Sequence, residues 1–70
     1  MRPFYAVKMI SGVVMAFDWN AEHIAAAYQH KRVVGVIRCF DAEGTIPAEA
    51  EAERLFAKGQ FDPTDAAKSK

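Results

Sequence analysis

Few residues of this 70-residue chain could carry chemistry, and their spacing decides what kind. Cys39 could act as a thiol nucleophile if His23 or His30 served as its base. A catalytic thiolate needs such a base and partial exposure. Cys39, however, lies in the most apolar stretch of the chain, which favours a buried structural thiol. His23 and His30 are seven residues apart, two turns along one helix. Helical metal pairs prefer a spacing of about four, and no third ligand is near. No metal site and no cofactor are therefore expected. His30 reads instead as a favourable charge at a helix C-terminus. Glu49, Glu51 and Glu53 alternate with alanine, so on a helix they spread over its outer side instead of converging in a cleft. That pattern suits a solvated face or docking onto a basic partner. The four glycines are scattered and form no phosphate loop. No catalytic constellation can be assembled, so an enzyme is not expected.

Binding chemistry is better represented. Lys31-Arg32, with Lys8 and Arg38, could form a basic patch, and Tyr5, Phe17 or Trp19 could stack on bases. The net charge of zero argues against phosphate binding, which needs several unopposed cations. Charge is nonetheless split along the chain. Residues 1–40 hold five cations against two acids, a net +3; residues 41–70 hold seven acids against four cations, a net −3. Such a split can steer a charged partner. Trp19, alone of its type, suits a core lid or an interface anchor.

These residues are positioned by a short series of elements. The run Val33 to Phe40 is β-branched and nearly all apolar, the mark of a strand covered on both faces. Alternation puts Val34, Val36 and Phe40 on one side and Val33, Ile37 and Cys39 on the other. Phe4–Ile10 and Val13–Phe17 read as a hairpin around Ser11-Gly12. A two-residue loop sets Lys8 opposite Met15 and Ala6 opposite Phe17. A helix capped by Asp18 or Asn20 is expected to about Lys31, with an apolar stripe of Ala21, Ile24, Ala25 and Tyr28. His30, Lys31 and Arg32 would fill its last turn. Asp41-Ala42-Glu43-Gly44 reads as a turn and Thr45 as the cap of a second helix over Pro47–Lys58. Ala48, Ala52, Leu55 and Phe56 would be its apolar face, Gly59 its C′ residue, and Phe61 would fold back on Leu55. Asp62 onward lacks large apolar residues and reads as a frayed tail.

The fold class that follows is α+β: a small two-layer domain of hairpin, helix and third strand (ββαβ), then a C-terminal helix, with residues 1–61 folded and 62–70 a flexible tail. One cysteine, no signal-peptide pattern and no long apolar run give a cytoplasmic reading. By elimination the chain is expected to be a protein–protein interaction module, a regulator or inhibitor of a larger host assembly. Phage and plasmid accessory proteins that redirect a machine such as RNA polymerase are of this size. Trp19, Lys31, Arg32, Arg38, Glu49 and Glu53 are its expected contact residues. A nucleic-acid-binding transcription regulator and a structural subunit that folds as a homodimer through a sheet edge are the alternatives. No membrane partner is expected.

Overall fold

A computed structural model describes residues 2–40 and 47–68. The chain forms β1 (Phe4–Met9), β2 (Val14–Asp18), α1 (Ala21–Gln29), β3 (Val33–Cys39), α2 (Ala48–Ala57), β4 (Asp62–Pro63) and α3 (Asp65–Lys68). The sheet order is β2-β1-β3-β4, with every neighbouring pair antiparallel. This is the α+β class and the ββαβ order that the sequence implies. The expected turn at 41–44 and the cap at Thr45 lie outside the described residues.

The hairpin differs from expectation by one residue. Gly12 N–H donates to Met9 C=O (2.9 Å), and Met9 N–H donates to Val13 C=O (2.8 Å). Gly12 sits at φ +95°. These features define a three-residue loop, a type I turn closed by a left-handed glycine, instead of a two-residue one. The register is therefore Val7 opposite Met15, Ala6 opposite Ala16 and Tyr5 opposite Phe17. A slip of one residue exchanges the faces of β2. Met15 and Phe17 join Tyr5 and Val7, and Val14 and Ala16 join Phe4 and Ala6.

α1 covers one face and α2 the other, so α2 adds a third layer to the expected two. On one face Tyr5, Val7, Val33 and Val36 pack under Ile24 and Ala27 of α1. On the other, Phe4, Ala6 and Ile37 pack under Ala52 and Phe56 of α2. Both interior strands thus lose their polar alternation, as the apolar run at β3 implies. Val33 does not alternate as expected. The register against β1 shifts between Lys8–Gly35 and Met9–Val33, and this bulge turns Val33 to the same face as Val36. Phe40 lies past the strand end and is 58% exposed.

Asn20, not Asp18, caps α1 by accepting from His23 N–H (3.0 Å). Ile24, Ala27 and Tyr28 make the contact stripe, while Ala21 and Ala25 are exposed. His30 is extended (ψ 130°), so the helix stops at Gln29 and His30, Lys31 and Arg32 lie beyond its last turn. α2 ends as expected: Gly59 at φ +76° lets Gly59 N–H reach Phe56 C=O and Gln60 N–H reach Leu55 C=O.

From Asp62 onward the chain does not leave the domain. Asp62 and Pro63 pair with Val36 and Gly35. Thr64 is 1% exposed. Its N–H donates to Val34 C=O (3.3 Å) and its hydroxyl donates to Val33 C=O. Short residues suffice here because the segment closes a sheet edge by main-chain bonds, not by apolar bulk. Phe61 packs on Phe56 (5.1 Å between ring centroids) and over Gly35, where a Cβ would lie 2.6 Å from its ring.

Candidate interaction surface

Two turns meet at one end of the molecule. The first is the hairpin loop Ile10-Ser11-Gly12. The second joins α1 to β3: Val33 N–H donates to His30 C=O (3.2 Å), which puts Lys31 and Arg32 at its two central positions. The His30 ring steadies it, with Nδ1 accepting from Arg32 N–H (3.1 Å). That bond requires the Nδ1 to be free of its proton. A further bond, Ile10 N–H to Arg32 C=O (2.7 Å), ties the two turns together.

The result is a mixed apolar and cationic knob. Ile10 is 69% and Val13 53% exposed, and Lys31 and Arg32 are exposed beside them. Among the described residues, neither cation has an ion-pair partner. Exposed large apolar side chains beside exposed charge are what a protein-docking surface offers: area to bury and charge to orient the approach. Lys31 and Arg32 are among the expected contact residues. Ile10 and Val13 are not, because a two-residue loop makes them strand residues. The alternative signal is present in the sequence, since glycine at the third position of Ile10-Ser11-Gly12 also fits a type I loop.

The other expected contact residues lie elsewhere. Arg38 is on β3, six residues from Arg32, or about 20 Å along an extended strand. It pairs with Asp62 (3.4 Å) and sits 5.9 Å from the Tyr28 ring centroid. Trp19 is half-buried against the α1-side core, its ring 4.3 Å from that of Phe40. Glu49 and Glu53 are exposed on α2, across the sheet. The six residues therefore do not converge on one patch.

Nor do the candidate nucleophile and its bases meet. Cys39 is half-buried on the α2 side of the sheet. His23 and His30 line an apolar groove on the α1 side, about 280 Å³ in volume, with Met15 and Phe17 as its far wall. Within it the Tyr5 hydroxyl lies 3.4 Å from His23 Nδ1. Burial pushes the Tyr5 phenol up from its ordinary value, so the group is a neutral hydrogen-bonding hydroxyl. Among the described residues no cluster of three metal-ligating side chains is present. Among the same residues, no helix is long and apolar enough to cross a membrane.

The structure describes a small α+β domain. The chain matches no protein-family model, and no curated protein and no solved structure is significantly similar to it.

Proposed function

We propose that the protein is an interaction module, a regulator or inhibitor of a larger protein assembly, whose docking end is Ile10, Val13, Lys31 and Arg32. One observation carries this reading: the 2.7 Å bond from Ile10 N–H to Arg32 C=O ties the hairpin end that exposes Ile10 and Val13 to the turn that exposes Lys31 and Arg32, cations with no ion-pair partner among the described residues. The matching surface on a partner is an apolar patch rimmed by carboxylates. A nucleic-acid partner fits less well, because Ile10 and Val13 would be pressed against phosphates.

The test is affinity capture from nuclease-treated bacterial lysate, followed by binding to the purified partner; RNA polymerase is the first candidate to assay. Wild-type protein should retain a discrete partner. Ile10→Asp and the double variant Lys31→Glu/Arg32→Glu should each lower affinity at least tenfold while leaving the melting temperature unchanged. Retention undiminished in both variants overturns the docking end. Recovery of nucleic acid alone, with binding that falls steeply as salt rises, would replace a protein partner by nucleic acid.

A further inference from the structure

We infer that β2 is a dimerisation strand, pairing antiparallel with β2 of a second copy about a twofold axis at Ala16. This goes beyond the docking end and does not rest on it. The first argument is the backbone. Met9 N–H donates to Val13 C=O, and alternation along the ladder then points the main-chain groups of Met15 and Phe17 at β1. Those of Val14, Ala16 and Asp18 point outward, where β2 has no neighbouring strand among the described residues. This outward trio is symmetric about Ala16. Pairing it with itself sets Val14 opposite Asp18 of the second copy and Ala16 opposite Ala16, and each N–H of the trio meets a C=O.

The side chains agree with that register. On the α1 face it sets Met15 opposite Phe17 of the second copy. The Tyr5–Phe17 stack, 5.2 Å between centroids, then continues onto a thioether, a favourable aromatic contact. Phe17, 44% exposed in one copy, is covered, and the groove beside Met15 is closed from its open side. On the α2 face Asp18 falls opposite Val14 of the second copy, next in the row to that copy's Lys8. Acid thus approaches cation, and the two Asp18 carboxylates sit at opposite ends of the pair.

Other registers match less of the edge. An axis at Asp18 brings the two carboxylates together. An axis at Met15 pairs Val14 with Ala16 of the second copy and leaves the outward groups of Asp18 unmatched, and an axis at Phe17 pairs Ala16 with Asp18 and leaves those of Val14 unmatched. The edge also lacks the usual protection, having no lysine, proline or bulge between Val14 and Asp18.

Sedimentation equilibrium on the full chain tests this. The mass should rise with concentration from 7.8 kDa to twice that value, and the melting temperature should rise with it. Ala16→Pro removes one outward N–H and none directed at β1. It should stay monomeric at concentrations where wild type is dimeric, with unchanged circular dichroism. Should that variant fail to fold, Ala16→Cys in a Cys39→Ser background reads the register directly. It should form a symmetric disulfide under mild oxidation far faster than Val13→Cys in the same background. A monomeric mass at every concentration overturns the inference. So does a dimer that Ala16→Pro leaves intact, or cross-linking of the Ala16→Cys variant no faster than that of the Val13→Cys variant. Binding by the docking end is read separately, since Ala16→Pro leaves Ile10, Val13, Lys31 and Arg32 in place.

Discussion

The two edges of this sheet are treated oppositely. At β3 the chain returns to close its own edge: Asp62 and Pro63 pair with it, Thr64 satisfies Val33 and Val34 carbonyls, and α3 follows. Side chains reinforce the closure, with Tyr28 donating to Asp62 (2.6 Å) and Arg38 pairing with the same carboxylate. At β2 no described segment does the same, although the strand is as apolar as its neighbours. An unpaired edge is a liability that folds usually suppress. Residues 62–68 seal one edge, and among the described residues the other is left open to the pairing inferred above.

The contrast breaks most severely at Gly35. A Cβ there would lie 2.6 Å from the Phe61 ring and 2.9 Å from the Phe56 ring. Both rings are packed and cannot withdraw without opening the α2-side core. Gly35→Ala should therefore cost about 3 kcal/mol, at the upper end for overpacking, and lower the urea midpoint accordingly. Thr64→Val comes next. It keeps the volume but leaves Val33 C=O without its buried donor, at a cost of about 2 kcal/mol. Thr64→Ser should recover most of that loss. Equal stability of the valine and serine variants would mean that the hydroxyl does not hold the edge closed.

The unequal edges also explain what can be read from the residues alone. β3, α2 and the glycine after it are legible, because apolar runs, helical spacing and a C′ glycine are local signals. The sealing segment is not. Asp62-Pro63-Thr64 carries little apolar area, and its stability comes from main-chain bonds to a strand far earlier in the chain. Long-range pairing of this sort leaves no local pattern. The docking end escapes for a smaller reason. Ser11-Gly12 fits either a two-residue or a three-residue loop, and the choice decides whether Ile10 and Val13 are strand or turn. Lys31 and Arg32 stand out by charge, but their place in a turn depends on His30 leaving the helix early.

The side-chain clamp on the sealed edge is expected to respond to pH. The Tyr28 hydroxyl is pushed up to about 12, first by burial and then by its hydrogen bond to Asp62 and that carboxylate's charge, with Arg38 opposing. Unfolded, the phenol titrates near 10. The folded state therefore holds the proton more tightly. The contribution of Tyr28 is complete below about pH 10 and is lost as pH rises from there toward 12. Tyr28→Phe removes both the hydrogen bond and the titration. It should cost about 1 kcal/mol at neutral pH and flatten the fall in melting temperature between those two values. An unchanged alkaline slope in the variant would assign that slope to other groups.

The smallest effect on folding should come from the docking end, and that is what separates it from the sealed edge. Ile10 is tied to the rest of the domain by the main-chain bond to Arg32 C=O, and it is 69% exposed. Ile10→Asp keeps that bond and removes mostly solvent-facing apolar area, so stability should change by less than about 0.5 kcal/mol. A residue that the fold does not need, held in a fixed place by a bond the fold does make, is free to serve a partner. If Ile10→Asp instead destabilised the domain as Thr64→Val does, Ile10 would be part of the core's boundary. The docking end would then shrink to Val13 and the two cations. Unchanged folding with lost binding would sharpen the division between an edge that the protein keeps for itself and surfaces that it offers to others.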